Sequence, residues 1–421
     1  MKHLLQNLPA VAVVLLALTP LASVAQQTEV SGQVRGYWNE RMAGDAGPVA
    51  LANQWQGGTA AVAAASAATV QAELRANASW AGLTFSTTAT AQIQQVPGGN
   101  ADTQSWFNEA YASGSVMGWQ WSAGKKVVSW DVGYAFRPND MVQQEVRRTL
   151  VSEAVVGRPV LLAENFTADT AWSLVWANPT QTPSTNGSQE AALAARVYHR
   201  TGAVDWYGFA RHGDRTGASV GVAAAWVASD ALELHASARA YEHMTVSRTT
   251  ASGSALVSAT PWQPTLTDAG QQVLVGGTWT SESQISVLVE AWHDASALSD
   301  SQWNDWAARN QALPLWLARG APVAAVAGNL AWQANAFGAA SNLRQNNLYA
   351  RLSWQRERWQ VAVDVLYTPS DQGTINTFSL GWTGERFKMD MGLRSHGGPE
   401  SAVVRQLPVQ RQAYALGTWT F

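Results

Sequence analysis

The sequence predicts an all-β protein, an up-and-down transmembrane β-barrel of about eighteen antiparallel strands, with sixteen as the alternative. Three observations predict it. Apolar and polar residues alternate with period two along most of the chain, tryptophans stand near the ends of these stretches, and an aromatic-rich strand ends in Phe421. Beyond residue 25 we find no run of about 18 apolar residues, the length that a membrane helix needs.

The composition excludes several other classes of protein. Of the 421 residues, 14% are charged and 47% are hydrophobic, and none is cysteine. A chain this apolar is not disordered, and a mean hydropathy of −0.13 is too polar for a helical membrane bundle. The absence of cysteine excludes disulfide scaffolds and thiol catalysis. A net charge of −3 indicates no nucleic-acid partner, and we expect neither a cofactor nor a metal site.

Residues 1–25 are predicted to be a signal peptide, and residues 26–421 the barrel. A positively charged start precedes an apolar stretch from Leu8 to Leu21, and a small-x-small cleavage site ends at Ala25. A membrane anchor is the alternative, but this stretch is short for a span and contains two prolines. We therefore expect export to the bacterial outer membrane.

Eighteen stretches have the alternation of a strand. In chain order they lie near residues 28–41, 68–80, 83–95, 105–115, 119–130, 159–166, 171–178, 191–200, 203–212, 218–228, 231–245, 271–280, 284–294, 346–356, 358–368, 374–383, 386–395 and 409–421. Short turns alternate with longer connections, as a single-chain barrel requires, so both termini are expected on the periplasmic side. The sixth and seventh stretches have the weakest pattern, which leaves sixteen strands open.

The apolar face of these strands suits lipid better than a protein core, because it consists mostly of Ala, Val, Leu and Gly. Tryptophans near the strand ends indicate the aromatic girdles of an outer-membrane barrel. They are Trp80, Trp119, Trp206, Trp226, Trp279, Trp354, Trp359, Trp382 and Trp419. The aromatic-rich core of a secreted β protein is the alternative.

The last strand resembles the C-terminal assembly signal of bacterial outer-membrane barrels. It ends in Phe421, with Trp419 and the small residue Gly417 at the preceding alternate positions. The resemblance implies that the barrel assembly machinery recognises Trp419 and Phe421.

Three long connections, near residues 131–158, 247–270 and 295–345, are expected to be extracellular loops that cap or constrict the barrel. In the third, residues 301–310 predict a short capped helix. Either this helix folds into the lumen and narrows it, or it lies on the surface, packed on its own aromatic side chains.

Taking the polar face as inward gives a nearly balanced set of pore-lining charges. The basic residues are Arg35, Arg75, Lys126, Arg196, Arg211, Arg239, Arg351, Lys388 and Arg394. The acidic residues are Glu73, Glu109, Asp205, Glu233, Glu290, Asp364 and Asp390. They form either a weakly basic pore for anionic or neutral polar solutes, or ladders of satisfied charges, with Glu73 pairing with Arg75 and Glu233 with Arg239.

One stretch resembles the alginate-export family of porin-like barrels. The matching residues are Asn108 to Tyr111, Gly124 to Tyr134, and Pro138-Asn139-Asp140. The family pattern is a Gly-Arg/Lys strand that runs into a Trp-Gly or Trp-Asp loop and then Pro-x-Asp. The resemblance implies a passive outer-membrane channel, and some members export an anionic polysaccharide through an arginine-lined lumen.

The sequence therefore predicts a porin-like channel for passive passage of small polar or anionic solutes. An exporter of an anionic polysaccharide or another secreted product, and a barrel enzyme, are the alternatives. Pairs such as His293-Asp294 are not accompanied by a serine motif, so we do not predict an enzyme. The expected partners are outer-membrane lipid, the barrel assembly machinery and the solutes, with a homo-oligomer also possible.

Overall fold

A computed structural model describes residues 27–55, 66–143, 150, 155–182 and 189–421. The predicted signal peptide lies outside the described residues, as do residues 144–149 and 151–154 of the first long connection. The described chain forms a closed antiparallel β-barrel of eighteen strands. The sixteen-stranded alternative is thereby excluded.

The barrel strands are β1 (Gln27–Ala43), β2 (Ala67–Trp80), β3 (Leu83–Gln95), β4 (Ala101–Val116), β5 (Trp119–Lys126), β6 (Arg158–Phe166), β7 (Thr170–Ala177), β8 (Ala192–Thr201), β9 (Val204–Gly213), β10 (Gly217–Ser229), β11 (Leu232–Tyr241), β14 (Gly270–Thr280), β15 (Ile285–Asp294), β16 (Asn346–Arg356), β17 (Trp359–Thr368), β18 (Gly373–Thr383), β19 (Phe387–Gly397) and β20 (Val409–Thr420). A separate two-stranded sheet consists of β12 (Thr245–Thr249) and β13 (Trp262–Leu266). The helices are α1 (Gly47–Trp55), α2 (Asp300–Ala312), α3 (Leu315–Ala318) and α4 (Val323–Gln333), with 3₁₀ turns at Ala334–Gly338 and Val403–Gln406.

Each barrel strand pairs with its neighbours in the chain, and β1 closes the barrel against β20. Phe421 extends this closure, because its backbone exchanges two hydrogen bonds of 3.0 Å with Gly32. A Cβ atom at position 32 would collide with the Phe421 ring. Glycine is therefore required where the last residue packs on the first strand.

The two ends of the barrel differ in their connections. At the short-turn rim, pairs such as Ala81-Gly82 and Met117-Gly118 reverse the chain with positive φ at both residues, about 50° and 80°. These angles match type I′ turns, whose twist suits a two-residue hairpin. The nine predicted girdle tryptophans all lie towards this rim, whereas the long connections lie at the opposite, long-loop rim.

The outer wall is apolar and exposed. Leu193, Val222 and Leu393 have 64%, 63% and 60% of their surface exposed, which suits lipid rather than water. No helix among the described residues is long and apolar enough to cross a bilayer.

Two predicted strands end early, for different reasons. The strand predicted to reach residue 130 ends at Lys126, because the chain leaves the wall there and turns into the lumen. The strand predicted to reach residue 245 ends at Tyr241, because residues Thr245–Thr249 pair instead with β13 above the rim.

The predicted helix in the third long connection is α2, and it lies in a cap over the long-loop rim. Ser299 and Gln302 form a capping box at its start. Trp303 and Trp306 of α2 pack on Trp262 and on Phe337. The helix therefore follows the surface alternative, packed on aromatic side chains.

Candidate functional site

The connection from β5 to β6 enters the barrel. Residues 127–143, here called the inward segment, enter the lumen and contact the wall along a continuous arc of strands, from β6 to β10 in one apolar cluster and from β14 to β16 in another. On the side next to β5, its residues Trp130, Met141 and Val142 form a buried apolar cluster with wall residues that include Val160 and Phe209. This side of the lumen, along β5 to β11, is packed like a protein core, and we call it the filled side.

Phe136 extends the contacts of the inward segment along the wall to β14 and β15. Its ring stacks on Trp292 of β15, with ring centres 5.2 Å apart. Both rings are buried, together with Leu274 of β14. Close approach requires Gly133, because a Cβ atom there would collide with the Phe136 carbonyl oxygen and the Leu274 side chain.

Glu290 of β15 anchors the backbone of the segment at the same place. Its two carboxylate oxygens accept hydrogen bonds from the backbone N–H groups of Tyr134 and Ala135, at 2.6 and 2.8 Å. His235 of β11 lies between Glu290 and Glu233, at 3.0 Å from the first and 3.1 Å from the second. A fully buried carboxylate thus has donors on both sides, as burial of a charge requires.

Two polar residues of the segment hold it against β10 and β11. Asp131 accepts hydrogen bonds from the Ser237 hydroxyl at 2.7 Å and from the Asn139 backbone N–H at 2.6 Å. The Asn139 amide donates to the same hydroxyl at 2.8 Å. Gly221 of β10 leaves room for this amide, because a Cβ atom at that position would overlap its oxygen.

Asp140 folds the segment back on itself. It accepts hydrogen bonds from the Trp130 backbone N–H at 2.7 Å and from the Ser129 hydroxyl at 3.1 Å. Burial raises the pKa of Asp140 to about 7; the charge of Arg137 opposes this rise and that of Asp131 adds to it. Burial also raises the pKa of Asp131. The single positive charge of Arg137 thus acts on two buried carboxyl groups, those of Asp131 and Asp140.

At the rim of the filled side, a carboxylate outside the strands binds an arginine of the wall. Glu190 contacts Arg211 of β9 at 2.7 Å and accepts hydrogen bonds from Thr216. Burial acts to raise the pKa of Glu190, but the hydrogen bonds from Arg211 and Thr216 outweigh it and lower the pKa to about 2. Glu190 therefore remains ionised at neutral pH.

The other side of the lumen, along β16 to β20 and β1, contains a cavity of about 520 Å³. We call it the open side. Six of the predicted pore-lining residues meet there: Arg35, Arg351, Lys388, Arg394, Asp364 and Asp390. Tyr134 of the inward segment and Leu150 close the cavity towards the centre of the barrel.

The charges of the open side are partly paired. Arg351 contacts Asp364 at 2.8 Å, and the Tyr349 hydroxyl donates to the same carboxylate at 2.6 Å. Lys388 lies 3.2 Å from Asp390, and its side chain is 53% exposed. Four basic and two acidic side chains line this cavity, so its surface has an excess of positive charge.

The remaining predicted residues lie apart from this cavity. Glu73 binds Arg75 at 2.8 Å and approaches Arg35 at 3.9 Å, so the predicted Glu73–Arg75 pair is present. Lys126 donates to Ser122 and Glu109 accepts from the Val127 backbone N–H. Arg196 approaches Glu164 at 3.8 Å, and Asp205 accepts from Tyr198.

The predicted pairing of Glu233 with Arg239 is wrong. Glu233 binds His235, whereas Arg239 donates to Ser219 at 3.0 Å and to the Pro138 carbonyl oxygen of the inward segment at 3.4 Å. Arg239 therefore binds the inward segment, and the alternation of residues along the strand does not predict this contact.

The connection near residues 131–158 was predicted to cap or constrict the barrel, but the residues that hold it inside the lumen were not predicted. Asp131, Tyr134, Phe136 and Asn139 were assigned to an outer loop. One signal could have found them, because Trp130, Phe136, Met141 and Val142 are large apolar residues in a connection, and such residues need burial.

No family model and no curated protein matches the chain. Solved structures do. The chain is similar to OccAB1 of Acinetobacter baumannii, with a TM-score of 0.57 and 7% identity over 94% of this chain and 97% of that one. It is also similar to OpdL and OccK5 (OpdH) of Pseudomonas aeruginosa, with TM-scores of 0.55 and 0.53 and 8% identity to each, over 94% of this chain and 99% of those.

The fold is that of an outer-membrane porin. These porins share the eighteen-stranded barrel, and at such low identity the similarity concerns the fold alone. A closed porin barrel with an apolar outer face belongs to the bacterial outer membrane.

Proposed function

We propose that this chain is a passive channel for small polar or anionic solutes, and that solutes pass along the open side of the lumen. The observation that supports it best is the course of the inward segment, which covers the wall from β6 to β16 and leaves beside it a cavity lined by polar and charged side chains. Water and ions enter such a lining readily, whereas the filled side is tightly packed around the inward segment.

The excess of basic side chains favours anions. Arg35, Arg351, Lys388 and Arg394 face the cavity with only two carboxylates among them. A guanidinium group can replace part of the hydration shell of a passing anion, while Asp364 and Asp390 weaken this attraction enough for the anion to leave. We infer a mild rather than a strict preference for anions.

Conductance of the refolded protein in a planar bilayer tests the proposal, with reversal potentials measured under a salt gradient. We expect stable single-channel steps and a weak anion preference. A folded barrel, shown by circular dichroism, that gives no steps would contradict the channel.

Several more specific predictions from the sequence have no support from the cavity or the fold. The resemblance to the alginate-export family favours an exporter of an anionic polysaccharide as the second function, and the size limit set by the inward segment argues against it. Extracellular placement of the long-loop rim, recognition of Trp419 and Phe421 by the assembly machinery, self-association and the absence of enzyme activity remain predictions.

A further inference from the structure

A second and larger cavity lies at the long-loop rim, away from the open side. It measures about 880 Å³ and lies between the ends of β11, β14 and β15, the two-stranded sheet β12–β13, and helix α2. Ligand sites in proteins are commonly clefts of roughly 300–1,000 Å³. None of the strands that line the open side contributes to it among the described residues. A ligand bound here would therefore lie beside the proposed solute path.

Three aromatic side chains line this cavity: Tyr241, Trp262 and Trp306. Their positions are fixed by packing. Trp306 packs edge to face with Trp303, with ring centres 5.2 Å apart, and its indole N–H donates to the Gln333 carbonyl oxygen at 2.9 Å. Trp262 belongs to the same buried cluster. The cavity thus has rigid apolar surfaces that need no rearrangement to bind a ligand.

Four charged side chains also line the cavity, two of each sign: Arg248, Arg309, Asp268 and Asp305. The arginines are held by carbonyl oxygens, Arg248 by that of Ser296 at 2.7 Å and Arg309 by that of Gly253 at 2.8 Å. Within the part of the chain that the structure describes, none of the four forms an ion pair within 4.0 Å.

We propose that this cavity binds a neutral, hydroxyl-rich ligand, a short oligosaccharide. A sugar hydroxyl donates a hydrogen bond to a carboxylate and accepts one from a guanidinium group, so a single ligand uses Asp268, Asp305, Arg248 and Arg309 together. Trp262 and Trp306 are only 7% and 5% exposed, so they offer a sugar ring small apolar contacts at their edges, and the hydroxyl groups supply most of the binding. The balanced charge of the lining disfavours an organic anion, which the two carboxylates would repel.

This proposal can be tested separately from the proposed channel, because ligand binding is measured in detergent without any conduction. Isothermal titration calorimetry of the full chain in detergent would use cellotriose, maltotriose and raffinose as neutral probes and succinate as an anionic one. We expect heat of binding with at least one trisaccharide and none with succinate. Binding of succinate alone, or of no trisaccharide, would overturn the proposal.

The double variant Asp268→Asn, Asp305→Asn locates the binding. Both carboxylates are exposed, and among the described residues neither side chain makes a hydrogen bond or an ion pair that holds the fold. We expect the affinity for the trisaccharide to fall about tenfold or more, because each lost charged acceptor weakens a hydrogen bond. The matched control is Asp230→Asn, Glu282→Asn, which changes two acidic residues at the short-turn rim. An equal fall in both double variants, or in neither, would exclude this cavity as the site.

Discussion

The filled and open sides of the lumen are built from the same kind of strand, yet their contents differ. Along the filled side, Trp130 and Phe209 belong to a buried apolar cluster and the inward segment covers the wall. Along the open side, Arg351 and Lys388 line a cavity, and their side chains remain 23% and 53% exposed. The strands of the wall are alike on both sides, and one inward connection decides which part of the lumen stays open.

The largest effect is expected from removing the inward segment. Replacing residues 131–140 by a Gly-Ser sequence of equal length removes the contacts of Phe136 with Trp292 and of Asn139 with Ser237. Since the lumen would no longer be divided, we expect single-channel conductance to rise about twofold or more. The control replaces the β3–β4 connection, residues 96–100. Unchanged conductance would show that the segment does not limit the path.

A single methyl group tests how tightly the filled side is packed. In Gly221→Ala the new Cβ atom overlaps the Asn139 amide, so we expect a loss of stability of about 1–3 kcal/mol. Gly36→Ala is the matched control, because a Cβ atom there meets nothing within 4 Å. Unfolding by denaturant in lipid vesicles measures both. Equal losses would mean that the packing around Asn139 is loose.

The charge of the open side is tested by Lys388→Gln combined with Arg394→Gln. We expect the anion-to-cation permeability ratio to fall by about half, because two of the four basic groups of the cavity are neutralised. Arg356→Gln with Arg358→Gln serves as the control, since these residues lie at the short-turn rim outside the cavity. A reversal potential that does not move would remove Lys388 and Arg394 from the pore.

The smallest expected effect is the dependence on pH of how stably the inward segment is packed in the lumen. The pKa of Asp140 is raised from 3.8 to about 7, so the folded segment binds this proton more tightly than the unfolded one. Its contribution to stability is therefore complete below pH 3.8 and is lost as the pH rises to about 7. We expect hydrogen exchange of the Trp130 amide to be faster at pH 8 than at pH 5, after correction for intrinsic rates. Asp140→Asn should abolish the difference, whereas Asp169→Asn in an exposed turn should not.

The barrel wall could be predicted from the sequence because the side to which each residue points depends only on its position within its own strand. Residues such as Val70, Ala72 and Leu74 face lipid, their alternate neighbours face the lumen, and period two follows along the strand. The strand count of eighteen and the girdle tryptophans follow from the same rule. No distant contact is needed to place them.

A constriction by the connection near residues 131–158 was predicted, but the way it packs inside the lumen could not be, because that depends on contacts between residues far apart in the chain. Glu290 accepts from Tyr134, 156 positions away, and Asn139 meets Ser237, 98 positions away. A strand pattern gives the side on which Glu290 lies but not its partner. Arg239 shows the same limit, because its predicted neighbour on the strand was replaced by the carbonyl oxygen of Pro138.

The buried cluster around Trp130 also gives the two sides different thermal behaviour. Its apolar surface leaves water when the inward segment packs, so the hydrophobic effect stabilises it, and this stabilisation weakens on cooling. The barrel wall is held by backbone hydrogen bonds in a lipid environment, where water does not compete. We therefore expect cooling to weaken the packing of the inward segment more than it weakens the strand pairing of the wall.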